Sequence, residues 1–172
     1  ERLERGGGGC MYRKIMAGII VAGLAAGGVV AGSTMKREAD IKALLAGMSL
    51  DLKIGQMMMV GVPGAEITPQ ARAIIQGCNP GGIILFGYNL ASRGKTSAFI
   101  ADMQKTAIDS AGLPLFISID QEGGRVRRIM DGVTQFPGNM PLGVVNDGDL
   151  SYRTARILGI ELRLMGVNMH LA

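Results

Sequence analysis

Short apolar runs alternate with amphipathic segments along most of this chain. The continuous apolar runs lie at residues 57–62, 82–86, 115–119 and 167–171. Runs of this length are typical of strands buried on both faces of a sheet. Segments with helical spacing of apolar positions lie at residues 36–47, 49–55, 68–75, 97–110 and 151–165. The alternation predicts parallel βαβ units and therefore an α/β fold.

Capping residues support the helix boundaries. Ser49 precedes one helical segment, and Thr68 followed by Pro69 opens another. A hydroxyl side chain just before the first turn accepts a free backbone N–H, and proline is well suited to the first helical position. Gly47 closes the preceding segment, as glycine commonly does after a helix. These signals predict helix starts at Ser49 and Thr68.

The local pattern leaves two architectures open. An open doubly wound sheet and a (β/α)8 TIM barrel both alternate strands and helices in this way. Four strands are predicted in the 172 residues, whereas a complete barrel takes about 250 residues. If the fold is a barrel, we expect about its first half, through the fourth strand.

The N-terminal segment has the character of a leader. Residues 15–31 are apolar, Arg13 and Lys14 precede them, and small residues follow. This order predicts a secretory signal, with an uncleaved membrane anchor as the alternative. We interpret residues 1–10 as translated upstream sequence or a cloning remnant, residues 11–33 as the leader and residues 34–172 as the exported domain. The predicted location is periplasmic, cell-surface or extracellular.

Composition narrows the choice of partners. The net charge is +4, and no long basic run with interleaved aromatic residues occurs, which argues against nucleic acid. Cys78 is the one cysteine of the predicted domain, so no internal disulfide is expected. We interpret its thiol as buried or half-buried, and residues 57–59, all methionine, as core filling.

The most informative stretch is PLFISIDQEGGRVRR at residues 114–128. Asp120 follows an apolar strand, and the carboxyl ends of parallel strands carry the chemistry of α/β folds. Its carboxylate is suited to accepting hydrogen bonds from hydroxyl groups, and Arg128 offers a planar donor to the same ligand. Gly123 and Gly124 allow close approach of the backbone. The simpler alternative is an aspartate that caps a turn beside solvated arginines.

Other types of site fit less well. The glycine pair lacks the G-x-G-x-x-G spacing of a dinucleotide fingerprint. Residues 89–96, NLASRGKT, end like a phosphate-binding loop, but Asn89 occupies the position of its first glycine. His170 is the single histidine, without further ligands at metal spacing, and no G-x-S-x-G elbow is present. We therefore expect no metal and no cofactor, and interpret His170 as packed or hydrogen-bonded in its strand.

The string SIDQEGGRV at residues 118–126 resembles the signature of glycoside hydrolase family 3, in its bacterial β-N-acetylhexosaminidase branch. Further motifs resemble that family in the same order: MSL at 48–50, KIGQM at 53–57, GGIILF at 81–86, FPGNM at 136–140 and GVNM at 166–169. Together they cover about residues 45–172.

The resemblance implies a TIM barrel and the hydrolysis of terminal β-linked N-acetylglucosamine with retention. It implies that Asp120 and Arg128 bind the non-reducing sugar. Glu122 has the chemistry of a catalytic carboxylate, but the resemblance assigns it a supporting place in the loop with Gly123, Gly124 and Arg125. The expected partner is a small carbohydrate, with membrane contact only through the leader.

The resemblance places the bond-breaking groups elsewhere. The family's nucleophilic aspartate on a late strand and its acid/base histidine on a mobile loop are expected beyond Ala172, and His170 lies outside that histidine's motif. We therefore expect this chain alone to be inactive. Alternatives are a β-glucosidase or β-xylosidase of the same family and a non-catalytic, membrane-tethered sugar-binding protein. Nucleotide binding through Lys95 is the third.

Overall fold

The computed structural model describes residues 30–172, with side chains from residue 37 onward. The predicted leader thus lies almost wholly outside the described residues, and its role stays a prediction. Within residues 30–172, no helix combines the length and the apolar character needed to cross a membrane.

Seven helices and strands make up the first half of the described chain. They are α1 (Val30–Gly47), α2 (Leu50–Gln56), β1 (Met59–Val60), α3 (Pro69–Cys78), β2 (Gly82–Leu85), α4 (Arg93–Ala111) and β3 (Phe116–Gly123). The second half contains β4 (Val126–Arg127), α5 (Asn139–Val145), α6 (Gly148–Leu164) and β5 (Met169–Leu171). A short 3-10 turn, Gly87–Asn89, follows β2.

Four of the strands form a parallel sheet in chain order. β1 pairs with β2, β2 with β3 and β3 with β5, all parallel. Sequential parallel pairing with intervening helices is the arrangement of a (β/α)8 barrel. The described residues therefore form part of a TIM barrel, as predicted.

The core lies between this sheet and the helices. Ile83 and Leu85 of β2 are fully buried beside Ile117 and Ile119 of β3, their register partners. Helix residues cover these four side chains: Ala71, Ile75, Phe99, Ile100, Met103, Leu158 and Leu162. Alternate strand residues point to the other face of the sheet, which is the interior face of a barrel.

The prediction that the methionine cluster fills the core is wrong for Met57 and Met58. Met57 is 88% exposed, and Met58 is also exposed. Met57 caps the end of α2, and β1 is only the pair Met59–Val60, shorter than the apolar run predicted. Met59 pairs with Gly82 and contacts Ser118, so it lies on the interior face, which side chains fill in a barrel. Cys78 at the end of α3 is exposed as well, so the prediction of a buried thiol is also wrong.

The predicted helix caps are confirmed. The Leu52 N–H donates to Ser49 Oγ over 3.2 Å, and the Ala71 N–H donates to Thr68 Oγ1 over 3.1 Å. Ser92 precedes α4 with the same extended backbone but forms no side-chain cap bond. Thr68, which forms a cap bond, can therefore be compared with Ser92, which forms none.

Replacing Thr68 by alanine is expected to lower the free energy of unfolding by about 1 kcal/mol, because a first-turn N–H of α3 loses its acceptor. Ser92→Ala, which removes no cap bond, is expected to change it by less than half as much. Urea titration followed by circular dichroism measures both. Equal losses would show that the Thr68 hydroxyl bond adds nothing to stability.

Candidate functional site

The candidate site is built on a hairpin at the end of β3. The apolar run predicted a strand that ends at Ile119, but β3 continues to Gly123 because the chain folds back and pairs with β4. Ile119 pairs with Leu85 of β2, and Asp120 pairs with Leu171 of β5. Asp120 thus lies where the parallel sheet ends and the hairpin begins.

The hairpin register explains the spacing of eight residues between Asp120 and Arg128. Gln121 pairs with Arg127 in the antiparallel ladder. The residues next to this pair, Asp120 and Arg128, are therefore brought side by side. Arg128 Nη2 donates to Asp120 Oδ2 over 2.9 Å. The structure thus brings together the two predicted binding residues.

The ion pair is half-buried and incompletely bonded. The side chains of Asp120 and Arg128 are 25% and 33% exposed. Among the described residues, none donates a hydrogen bond to Asp120 Oδ1, and none accepts one from the buried Arg128 Nε. A carboxylate oxygen with free lone pairs beside a fixed guanidinium is suited to holding a neutral, hydroxyl-rich ligand.

The two glycines of the loop pack against the protein's own backbone. Gly123 and Gly124 have φ angles of +85° and +56°. A Cβ on Gly123 would lie 2.8 Å from the carbonyl oxygen of Phe136, and the Gly124 N–H donates to that oxygen over 2.9 Å. The two glycines therefore approach the backbone of residues 136–138, the FPG segment. This segment packs against the hairpin turn and holds it in place.

The remaining predicted loop residues lie around this turn. Glu122 is half-buried and lines a cleft with Phe136 and Asn139, while Arg125 is exposed. Arg127 extends toward Gln135, with 3.4 Å between Nη1 and Oε1. Arg127 and Arg128 thus contact different partners, Gln135 and Asp120.

His170 is exposed, and its Nε2 lies 2.9 Å from the carbonyl oxygen of Gln121. This contact confirms the interpretation of a histidine hydrogen-bonded in its strand. His170 pairs with Ile119 and therefore faces the helix side of the sheet, opposite to Asp120. The described residues contain no cluster of three or more metal-ligating side chains.

The segment that resembles a phosphate-binding loop is occupied by internal contacts. Asn89 is fully buried, its Nδ2 donates to the carbonyl oxygens of Val62 and Gly64, and its Oδ1 accepts from the Phe86 N–H. Thr96 Oγ1 accepts from the Ala91 N–H over 3.0 Å. Asn89 thus joins the loop after β1 to the loop after β2, and Thr96 bonds within its own segment. Because these side chains are already engaged, the geometry disfavours nucleotide binding.

A cleft of about 670 Å³ lies beside Arg128. The loop after β2 and residues 128–132 form its walls, and Arg128 borders it together with Ser92, Arg93, Met130 and Met165. Asp120 is not among the residues that line it. The ion pair is therefore at the margin of this cleft, with the carboxylate on the barrel-interior side.

Sequence reasoning missed one residue of the site, Gln121. It is 2% exposed, and its side-chain amide forms three hydrogen bonds with the backbone of residues 128 and 129. Its place in the motif string was the only signal in the sequence. A polar side chain two positions beyond an apolar run does not reveal which backbone groups it will bond to.

Comparisons with known proteins identify the family of the chain. The profile described as the glycosyl hydrolase family 3 N terminal domain matches residues 49–172. A β-hexosaminidase of Bordetella avium is 37% identical over 119 residues, which are 65% of this chain and 33% of the relative. The chain spans about a third of the length of such curated relatives.

Solved structures show the same likeness. A glycoside hydrolase family 3 β-N-acetylglucosaminidase from a Paenibacillus strain superposes with a TM-score of 0.70 at 45% identity, over 73% of this chain and 24% of that one. An exo-1,3/1,4-β-glucanase from a Pseudoalteromonas strain superposes with a TM-score of 0.65 at 25% identity, over 78% and 22% of the two chains.

Proposed function

The chain belongs to glycosyl hydrolase family 3, and from this premise we propose that its protein is a β-N-acetylhexosaminidase. The proposed reaction removes terminal β-linked N-acetylglucosamine residues from the non-reducing ends of cell-wall or chitin-type oligosaccharides, with retention at the anomeric carbon. The names of similar proteins support this choice, since β-hexosaminidases and a β-N-acetylglucosaminidase are among them.

The main support for the proposal is the ion pair between Asp120 and Arg128, in which only one carboxylate oxygen accepts from the guanidinium. Arg128 Nη2 donates to Asp120 Oδ2, and no group of residues 37–172 donates to Oδ1, which can therefore accept from a sugar hydroxyl. Two neighbouring hydroxyls of a sugar can offer a donor from one and an acceptor from the other at a fixed spacing. A carboxylate beside a guanidinium complements both, and the contacts to charged groups are stronger than neutral hydrogen bonds.

The chain's residues bind and orient the sugar in this proposal. Asp120 accepts from a hydroxyl, Arg128 donates to a neighbouring oxygen, and the hairpin holds both at the end of the parallel sheet. No residue of this chain is assigned to bond breaking, and His170 faces away from Asp120. Orienting a sugar by fixed donors and acceptors contributes to catalysis when the same contacts strengthen in the transition state.

A β-glucosidase or β-glucanase activity is the second candidate. The specific observation in its favour is the similarity to an exo-1,3/1,4-β-glucanase. Glucose and N-acetylglucosamine differ only in the substituent at the 2-position. An ion pair that binds the other hydroxyls therefore does not distinguish the two sugars. The N-acetyl preference rests on the higher identity to the β-N-acetylglucosaminidase, 45% against 25%.

A pair of chromogenic substrates tests the proposal. We expect the intact gene product to hydrolyse an aryl β-N-acetylglucosaminide with a kcat/KM at least about a hundredfold above that for the matching β-glucoside, because sites built around a polar substituent discriminate strongly against its absence. The same aryl group in both substrates is the control for leaving-group effects.

Each outcome separates the candidates. Good turnover of the β-glucoside with none of the N-acetylglucosaminide would reject the proposal and support the second candidate. Turnover of neither substrate, with binding of N-acetylglucosamine retained, would instead support a sugar-binding protein without hydrolytic activity.

A further inference from the structure

Gln121 connects the strand that carries Asp120 to the segment that carries Arg128. Its Oε1 accepts from the Arg128 N–H over 2.8 Å and from the Ile129 N–H over 3.0 Å. Its Nε2 donates to the Ile129 carbonyl oxygen over 3.0 Å. One side-chain amide thus replaces a backbone partner for two consecutive residues directly after β4.

These bonds act where the hairpin ladder has ended. The last ladder pair joins Gln121 to Arg127, where β4 ends, so the backbone of residue 128 lies outside the ladder. The position of a long arginine side chain depends on where its backbone is held. By fixing residues 128 and 129, the Gln121 amide sets where the Arg128 guanidinium meets Asp120 Oδ2.

Gln121 itself is not positioned to touch a sugar. Successive strand residues point to opposite faces, so Gln121 faces away from the side to which Asp120 points. With 2% exposure, its amide is also closed to solvent. An effect of Gln121 on sugar binding must therefore pass through Arg128.

We propose that Gln121 is a positioning residue, which holds Arg128 in the geometry that binds sugar with Asp120. The inference rests on the proposed function for the ligand, but the contact between Gln121 and the Arg128 backbone stands without it. Loss of this amide leaves the guanidinium free to sample other positions, and affinity falls because the binding geometry must then be selected from several.

A second glutamine offers a matched control. Gln104 on α4 forms the same kind of amide clamp on the Leu115 backbone, in which Nε2 donates to the carbonyl oxygen and Oε1 accepts from the N–H, both over 2.9 Å. Leu115 precedes β3 at the end of the strand opposite to Asp120. Gln104→Met therefore removes similar bonds without touching the site.

The experiment compares Gln121→Met with Gln104→Met in the intact gene product, far below the unfolding temperature. For Gln121→Met we expect affinity for N-acetylglucosamine, measured by calorimetric titration, to fall about tenfold. Gln104→Met is expected to change it less than twofold. Equal affinities for Gln121→Met and the wild type would overturn the proposal.

A double-mutant cycle tests the route through Arg128. If Gln121 acts through that side chain, Gln121→Met adds less than about twofold to the loss already caused by Arg128→Ala, since coupled residues are not additive. A full additional tenfold loss would show that Gln121 acts by another route and would also reject the proposal.

Two further measurements cover the remaining outcomes. Gln121→Glu keeps an acceptor for the two N–H groups and loses the donor, so it is expected to lose less affinity than Gln121→Met; it also replaces that variant if the latter does not fold. Without any sugar, the buried Arg128 Nε–H is expected to exchange with solvent about tenfold faster in the Gln121 variants than in the wild type, measured by NMR. If the wild type binds no N-acetylglucosamine, the proposed function fails, while unchanged Nε–H exchange would reject the positioning role.

Discussion

Replacing Asp120 by asparagine is expected to lower kcat/KM for a β-N-acetylglucosaminide by about a hundredfold. The amide keeps the shape of the carboxylate but loses its charge, its second acceptor oxygen and its ion pair with Arg128. Hydrogen bonds to a charged group are stronger than neutral ones by enough that the loss of one or two accounts for this factor. Steady-state kinetics on the intact gene product measures the effect.

The control for this variant is Asp109→Asn. Asp109 forms an exposed ion pair with Lys105 on α4, and such surface pairs contribute little. The kcat/KM of the Asp109→Asn variant is expected to stay within twofold of the wild-type value. Wild-type kinetics for a folded Asp120→Asn variant would show that the Asp120–Arg128 pair only stabilises the hairpin.

Replacing Gly123 by alanine is expected to lower the free energy of unfolding by about 3 kcal/mol and to abolish sugar binding. The φ angle of +85° is strained for alanine, and the new Cβ would lie 2.8 Å from the Phe136 carbonyl oxygen and 2.9 Å from the Gly138 nitrogen. Backbone strain and overpacking each cost on the order of 1–3 kcal/mol. Both neighbours are backbone atoms, so neither can move aside as a flexible side chain would.

The matched control is Gly159→Ala in the middle of α6. A Cβ at Gly159 meets no atom within 4 Å, and helix propensity favours alanine by up to about 1 kcal/mol. This variant is expected to be as stable as the wild type or more so, with unchanged affinity for N-acetylglucosamine. Thermal unfolding and calorimetric titration measure both variants, and an equally stable Gly123→Ala protein would contradict the assigned packing of the hairpin on residues 136–138.

The parallel sheet and its helices could be predicted because period and capping signals agree with the fold. Ser49 and Thr68 mark helix starts by short-range bonds that the sequence itself contains. The extent of β3 could not be predicted in this way, because its last residues pair within a hairpin whose turn contains Gly124 and Arg125. Helix α5 and strand β4 are short and carry no period of their own.

The candidate site was predicted in part. The positions of Asp120 and Arg128 and the family resemblance predict both residues, and the hairpin register explains why a spacing of eight brings them together. The role of Gly123 depends on residues 136–138, whose approach no local pattern reveals. Buried amides such as Gln121 and Asn89 act on backbone that is distant or irregular, so only the structure identifies their partners.

The most direct test of a sugar site at Asp120 and Arg128 is a crystal structure of the intact gene product with N-acetylglucosamine. We expect a sugar at the carboxyl end of the parallel strands, with Asp120 Oδ1 and an Arg128 nitrogen each about 2.6–3.2 Å from ring hydroxyls. A sugar bound elsewhere, with the Asp120–Arg128 pair free of contact to it, would contradict the account.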